Sequence, residues 1–237
     1  MNKHVITVLI LLMLILVVGS GGCGKAGNTS SLSMSSYPHQ NGNQWECKTT
    51  LTVGNSVNST SIMKRYFDGE TTLSNGLVAQ NLCTSYETSS AGVMAIKRIK
   101  LFASPSSTSL YCVTGTGVYN YGTITYPTTE AAYLLPLPLD VGDIWTIVEN
   151  LTCEVIGEEE ITVPAGTFRT LKVEVNIFGS SGADQSDYYE WYADGVGLVK
   201  SSFSFLTLSS TIEGGRVILS TIEVESSLVE ELVSKNF

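Results

Sequence analysis

Side chains that could act as nucleophiles or bases are few in this chain of 237 residues. A Ser-His-Asp or Cys-His centre needs a histidine within reach of the nucleophile. The chain has two histidines, His4 in the short segment before the N-terminal apolar stretch and His39 in a polar segment that predicts a solvated turn. Zinc sites use clustered cysteines and histidines, and no Cys-x2-Cys pair occurs. These residues predict no catalytic triad, no metal site and no cofactor.

Carboxylates are more numerous but form no catalytic pattern. Glu158, Glu159 and Glu160 are consecutive, which is typical of a solvated strand face. Asp184 and Asp187 could offer oxygens to calcium, but the alternating spacing of a calcium loop is missing. No pair stands out as the acid and base of a glycoside hydrolase. We therefore expect a non-enzymatic protein and keep a carboxylate-based hydrolase as the third hypothesis.

The N-terminus carries a more specific cysteine. Lys3 gives a basic start, Val5 to Val18 is almost wholly apolar, and small residues then lead to Cys23. This order is typical of a secretory signal, and the apolar stretch is shorter than the roughly 20 residues of a membrane span. A cysteine directly after Gly22 resembles the lipobox of bacterial lipoproteins. Two or three acyl chains on Cys23, palmitate among them, would hold the protein on a membrane. The alternative is an ordinary cleaved signal with an incidental cysteine.

Composition divides the chain into four segments. Residues 1–22 predict a lipoprotein signal peptide, and residues 23–36, rich in Gly, Ser, Thr and Asn, predict a lipid-anchored flexible linker. Residues 37–130 and 131–237 predict a first and a second β repeat. The expected location is extracytoplasmic, on a bacterial membrane. In a Gram-negative cell this is the outer membrane, because no Asp follows Cys23.

Cysteines beyond the signal could pair, because thiols are oxidised outside the cytoplasm. Four cysteines allow two disulfides in three connectivities, and their wide spacing on predicted strands favours cross-strand links. Buried free thiols are the alternative. The candidates are Cys47, Cys83, Cys112 and Cys153.

The charge balance argues against some partners. The formal net charge is −9, and loss of residues 1–22 removes only Lys3 from the 13 basic and 22 acidic residues. Nucleic acids bind to clustered Lys and Arg, and anionic lipid also attracts basic patches. We therefore expect no nucleic-acid partner, and membrane attachment through acyl chains rather than charge.

Two phrases occur twice in the chain. Tyr37–Trp45 and Leu137–Trp145 share Pro-x3-Gly-x2-Trp at an offset of 100 residues. Tyr86-Glu87 and Tyr189-Glu190 each lead to Gly-Val and then to an apolar residue before Lys, at an offset of 103. Self-similarity at nearly the same offset indicates an internal duplication. Because Pro and Gly end the preceding segment, each Trp is expected to open the first strand of a repeat.

Alternating β-rich runs separated by polar turns dominate both repeats. They predict an all-β chain, a tandem repeat of two antiparallel β-meanders that form curved sheets or half-barrels. Single strands are expected over Trp145–Ile156, over Tyr188–Ala193 and over Val93–Phe102. Ser227–Glu230 fits a capping box, and Leu228 and Leu232 would share a helical face, so a short C-terminal helix is also expected.

Phrases in the second repeat carry a family resemblance. Val163–Phe168 reads Val-Pro-Ala-Gly-Thr-Phe, and Trp191–Lys200 reads Trp-Tyr-Ala-Asp-Gly-Val-Gly-Leu-Val-Lys, with Gly142–Trp145 upstream. These phrases resemble a family of uncharacterised bacterial lipoproteins described as TapB-like. The resemblance covers mainly residues 135–200 and implies curved sheets comparable to lipoprotein-carrier folds, with no activity or catalytic residue. The first repeat departs from it, because Ser61–Arg65 stands where the Pro-Ala-Gly-Thr-Phe turn is expected.

Clustered aromatic residues are the best candidates for ligand contact. They either line a curved sheet toward a ligand or fill an ordinary core. The residues singled out are Trp45, Trp145, Tyr189 and Trp191. The leading hypothesis is a binding or envelope-assembly module with a concave sheet for an apolar ligand or an envelope protein. The alternative is a purely structural or interaction lipoprotein without a ligand pocket.

Overall fold

The structure is a computed structural model that describes residues 32–35, 37–88, 106–149, 151–177, 187–213 and 216–237. Its regular elements are β-strands, and none of the described ranges contains a helix of the length and apolarity that crossing a membrane requires. The strands are β1 Gln44–Val53, β2 Ser56–Thr72, β3 Val78–Thr88, β4 Ser106–Thr114, β5 Gly117–Thr123, β6 Pro127–Pro136, β7 Ile144–Val148, β8 Leu151–Val163, β9 Gly166–Ile177, β10 Tyr188–Ala193, β11 Gly197–Glu213 and β12 Arg216–Asn236.

All twelve strands belong to one antiparallel sheet. Its order is β6-β5-β4-β3-β2-β1-β12-β11-β10-β9-β8-β7. Strands β1 to β6 and β7 to β12 therefore form two meanders, which join where β1 pairs with β12. The prediction of an all-β chain built from two antiparallel meanders is confirmed, and the residue limits of the repeats stay a prediction.

The sheet must curl, because its two edges are joined by a short link. Only residues 137–143 connect β6 to β7, which lie at opposite edges. Twelve strands laid flat at about 4.8 Å per spacing would put these edges roughly 50 Å apart, whereas such a link reaches at most about 28 Å. In the structure the indole N–H of Trp145 in β7 donates to the carbonyl of Leu134 in β6 at 2.9 Å.

The duplicated Pro-x3-Gly-x2-Trp phrase forms the same turn twice. Gly42 has a φ of 91° and Gly142 a φ of 93°, a left-handed conformation that glycine adopts without strain. The Gly42 N–H donates to the carbonyl of Phe67 at 2.9 Å, and the Gly142 N–H donates to the carbonyl of Val155 at 2.9 Å. Each turn leads directly into the first strand of its meander. The two turns therefore hold equivalent positions in the two meanders.

One apolar cluster fills the inner face of the curled sheet. Both meanders contribute to it, because inward and outward residues alternate along each strand. Full burial of each large apolar side chain stabilises the fold by about 1.5–3 kcal/mol. The most enclosed members include Met34, Trp45, Met63, Tyr111, Leu135, Leu171 and Leu232.

The Pro164–Gly166 turn reaches across to a strand that is not its neighbour in the sheet. The register of β8 against β9 slips between Val155 and Gly157, and such a bulge bends and twists a strand. At the tip of this hairpin, the N–H of Ala165 donates to the carbonyl of Leu232 in β12 at 3.1 Å. The turn that carries the family-like phrase is therefore a structural contact.

The predicted C-terminal helix is wrong, because residues 227–233 lie within strand β12. Leu228 pairs with Leu51 of β1 on one side and with Phe203 of β11 on the other. Leu228 and Leu232 are four residues apart, and that spacing puts two residues on one face in a helix and in a strand alike. Hydrogen bonding to strands on both sides decides in favour of the strand.

Other predicted strands differ in extent. The run predicted as one strand from Trp145 to Ile156 is a hairpin, since β7 ends at Val148 and β8 begins at Leu151, with Trp145 opposite Cys153. The strands β5 and β6 are not predicted by the sequence pattern. The strand expected over 93–102 lies outside the described residues.

The end of the predicted linker is part of the fold. Met34 and Leu139 exchange backbone hydrogen bonds of 2.9 and 2.7 Å, and the Met34 side chain is fully buried. The N–H of Leu32 donates to a carboxylate oxygen of Glu158. Residues 24–31 are the part of the predicted linker that lies before this contact, outside the described residues.

Candidate functional site

An ion pair lies on the inner face of the sheet, within the apolar core. The guanidinium of Arg65 in β2 contacts the carboxylate of Glu230 in β12, with Nη1–Oε1 at 3.0 Å and Nη2–Oε2 at 3.2 Å. The side chain of Arg65 is 2% exposed and that of Glu230 is 13% exposed. Because a buried charge is costly unless it is paired, this two-point contact is what allows either residue to lie here.

A second inner carboxyl group belongs to Glu190 of β10. It is 3% exposed, and the hydroxyls of Tyr188 and Tyr192 both donate to it. Burial raises the pKa of Glu190; the two hydroxyl donors oppose this rise, and the negative charge of Glu230 adds to it. Burial also raises the pKa of both tyrosines well above the usual range. The arrangement can hold a proton inside the core.

The four candidate disulfide cysteines are free thiols in the structure. Cys83 of β3 lies opposite Thr108 of β4, four residues along the strand from Cys112. This offset is roughly 13 Å, well beyond the Cα separation of about 4.4–6.8 Å in a disulfide. Cys47 and Cys153 are buried, and burial raises the pKa of both thiols. Disulfide pairing of the four cysteines stays a prediction, and a raised pKa makes the inner thiols poor nucleophiles.

Two of the four candidate ligand-facing aromatics pack in the interior. Trp45 is 1% exposed and Trp145 is 7% exposed. The indole N–H of Trp45 donates to the carbonyl of Val196 at 2.7 Å. Its ring lies 6.0 Å from the ring of Tyr37 and 6.0 Å from that of Phe67. Both tryptophans thus bond to backbone carbonyls and contribute to core packing.

The other two candidates, Tyr189 and Trp191, lie on the opposite face of the sheet. Alternate residues of β10 belong to the inner core, so these two point outward. The indole N–H of Trp191 donates to Glu159 at 2.8 Å. The ammonium of Lys172 lies 4.6 Å from the Tyr189 ring centre and 5.2 Å from that of Trp191. The structure therefore divides the predicted aromatic set between two faces.

An open pocket of about 290 Å³ lies beside the first duplicated turn. The Gln80 side-chain N–H donates to the carbonyl of His39 at 2.9 Å, and the Gly69 N–H donates to Asn41 Oδ1 at 3.0 Å. The Oε1 atom of Gln80 is buried without a hydrogen-bond partner in the described structure. Glu70 is exposed and makes no ion pair with the residues described. The lining residues are His39, Asn41, Phe67, Gly69, Glu70 and Gln80.

Sequence reasoning missed most of these polar positions. Arg65 lies at an inward position between Met63 and Phe67, and this alternation is the signal that could have found it. His39 is half-buried at the pocket rather than a solvated turn residue. Cys23 lies outside the described residues. Within the described ranges, no three His, Cys, Asp or Glu side chains are grouped so that they could hold a metal ion.

Part of the chain matches a known family model. A family model described as DUF3108-like matches residues 147–203, from β7 into β11. This range overlaps residues 135–200, on which the sequence resemblance rests. None of the curated proteins matches the chain.

Similar solved structures come from bacteria. A Bacteroides fragilis protein described as exported, with a YmcC-like fold, is 14% identical at a TM-score of 0.43, covering 84% of this chain and 98% of its own. A Parabacteroides distasonis protein described as a lipoprotein is 18% identical at a TM-score of 0.39, covering 84% of this chain and 97% of its own. A LolA superfamily protein from Nitrosomonas europaea is 11% identical at a TM-score of 0.24, covering 85% of this chain and 87% of its own.

Proposed function

We propose that the protein is a non-enzymatic lipoprotein of the bacterial envelope, anchored by acyl chains on Cys23, whose β-sheet part binds a protein partner. The basic start, the apolar stretch and the small residues before Cys23 support the anchor. The acidic balance of the remaining chain supports attachment through acyl chains rather than through charge.

The packed inner face is the observation that favours a protein partner over an apolar ligand. A ligand carrier needs an apolar cleft of roughly 300–1,000 Å³. In the described part of the chain, side chains from both meanders fill the inner face, and the Arg65–Glu230 pair makes it partly charged. Recognition is then left to the outer surface and its grooves. A purely structural lipoprotein is the alternative.

The ordered N-terminal segment supports a defined position near the membrane. Because Met34 is held by Leu139, only residues 24–31 separate Cys23 from the fold. A flexible chain of that length has an end-to-end distance of roughly 15 Å. The end of the molecule that carries Leu32 and Glu158 would therefore stand close to the bilayer.

Mass spectrometry of the protein purified from its own cells in mild detergent tests the anchor and the packed interior together. The expected spectrum shows a mature chain that begins at Cys23 with two or three acyl chains and no further lipid. Cys23→Ala is the matched control and should remain uncleaved or leave the membrane fraction. A mature N-terminus at another residue would refute the anchor, and a stoichiometric non-covalent lipid would refute the packed interior.

Cross-linking in intact cells tests the partner. A discrete cross-linked species that contains this chain and one other protein is expected. Absence of any such species, with the anchor intact, would favour the purely structural alternative.

A further inference from the structure

The first meander has a bulge directly after its duplicated turn. Phe67, which accepts the hydrogen bond from the turn glycine, pairs with Leu82, and the next pair along is Glu70 with Gln80. The strand β2 thus advances three residues while β3 advances two. This one-residue bulge turns the strand away from its neighbour and forms one wall of the pocket.

The second meander repeats this geometry. Val155 accepts the hydrogen bond from its own turn glycine and pairs with Val173, and three residues further Glu158 pairs with Leu171. The bulge has the same size and lies at the same distance from the turn. Glu158 of the second meander therefore corresponds to Glu70 of the first.

In the second meander this place is filled by the chain's own extended segment. Met34 pairs with Leu139 through two backbone hydrogen bonds, and the N–H of Leu32 donates to Glu158. By the duplication, His39 is the counterpart of Leu139. A groove of this construction therefore holds an extended peptide by backbone pairing and by one carboxylate.

In the first meander the counterpart groove is the open pocket, which no described segment covers. Gln80 stands in the place of Leu171, and its side-chain N–H donates to the carbonyl of His39. That bond replaces the one that the Met34 N–H makes to Leu139. The Oε1 atom of Gln80 remains buried without a partner in the described structure, so the N–H of an incoming peptide would satisfy it.

The two grooves differ in charge. In the second, Arg169 Nε donates to Glu158 at 2.9 Å. In the first meander the residue that corresponds to Arg169 is Val78, two residues before Gln80, and it is 49% exposed. Among the described residues, Glu70 therefore has no cation like that of its counterpart, and a basic side chain on the peptide would supply it.

We propose that the pocket beside the first turn binds an extended peptide segment of a partner protein that carries Lys or Arg. Its backbone pairs at His39 and Gln80, and its cation and an N–H contact Glu70, a form of recognition by strand addition. This deepens the proposed binding role, on which it rests, by naming the chemistry of the partner.

Peptide titration into the full-length protein in detergent micelles tests the proposal. The probe is an acetylated, amidated heptapeptide with the sequence of residues 30–36 and lysine in place of Leu32, followed by fluorescence anisotropy. The unaltered heptapeptide is the matched control and should bind about tenfold more weakly, since it lacks the charge-assisted contact. Rising salt should weaken the binding of the lysine peptide, because Glu70 is exposed.

Two variants at corresponding positions locate the binding site. Glu70→Gln should weaken lysine-peptide binding about tenfold, and Glu158→Gln, whose groove is already filled, should leave it unchanged. Gln80→Leu, with its fold checked by thermal unfolding, should also weaken binding. No binding at millimolar peptide, or equal loss in Glu70→Gln and Glu158→Gln, would overturn the proposal. A partner that cross-links in cells while the peptide fails to bind would leave the proposed function standing and place the partner elsewhere.

Discussion

The buried ion pair between Arg65 and Glu230 is the contact whose loss should lower the stability of the fold most. Arg65→Met leaves Glu230 as an uncompensated inner charge, and we expect it to lower the free energy of unfolding by about 3–5 kcal/mol. Urea unfolding measures the change. The matched control is Lys200→Met, which removes a pair at 3.0 Å to Glu231 whose side chains are 27% and 31% exposed, with a loss below about 1 kcal/mol.

The double variant Arg65→Met with Glu230→Met separates pairing from packing. Because replacing a whole buried pair by apolar residues is often near neutral, it should recover most of the stability that the single variant loses. Equal losses in the single and double variants would show that the charge on Glu230 is not what makes Arg65 necessary.

Glu190 should make stability depend on pH. Burial raises the pKa of Glu190 in the folded protein, so the folded state holds this proton more tightly than the unfolded chain. Stability then falls as the pH rises from the unfolded pKa of about 4.3 toward the folded value, by at most about 1.4 kcal/mol per pH unit. Glu190→Gln has no such proton to lose.

We therefore expect Glu190→Gln to gain stability relative to the unchanged protein as the pH rises from about 4 to 7. Thermal unfolding of both proteins over that range measures the difference. A difference that stays constant or shrinks with rising pH would contradict the assignment.

At the scale of elements, the duplicated turns should respond alike to the same change. Gly42→Ala and Gly142→Ala each place a side chain at a positive φ where no atom lies within 4 Å of the added carbon, so the cost is conformational alone. We expect each to lose about 1–2 kcal/mol. Gly115→Ala is the control, because it has no such φ and open space around it. Losses that differ by more than about 1 kcal/mol between the two turns would argue against their equivalence.

Local patterns predict elements well where a single periodicity applies. The strand predicted over Tyr188–Ala193 has the same bounds in the structure. Its aromatic residues favour a strand, and the turn beside it sets where the strand ends. The helix predicted for the C-terminal segment is wrong, because the four-residue spacing of Leu228 and Leu232 suits helix and strand equally. Only its pairing with β1 and β11 resolves that ambiguity, and such pairing is not encoded locally.

At the scale of the whole molecule, the two meanders should unfold as one unit. Cys47 lies in the first and Cys153 in the second, and both belong to the same core cluster. Burial raises the pKa of both thiols, so each reacts only when it is exposed. Pulsed alkylation with peptide mass spectrometry should show both becoming reactive at the same urea concentration. Exposure at two separate concentrations would indicate two independently folding domains.

The candidate site depends on contacts that span the chain, which explains why the sequence predicted so little of it. Arg65 and Glu230 meet only because β2, β1 and β12 are consecutive in the sheet. The sequence came closer to predicting the pocket, since the repeated turn phrase lies at its edge. The grooves of the two meanders differ because the segment around Met34 fills only the second, and the composition predicts that segment to be a flexible linker.

Pairing of β1 with β12 ties the first strand of the sheet to the last, with Trp45 opposite Lys235. A chain that crosses a membrane from its N-terminus must then keep one edge of β1 unpaired, with β2 on the other, until the final residues emerge. Such distant pairing is slow to form, and an unpaired strand edge is prone to aggregation. A chain that ends before Arg216 is therefore expected to sediment as aggregate while the full-length chain stays dispersed. For an exported chain, as proposed above, folding is completed only after translocation, and the chain needs protection from aggregation until then.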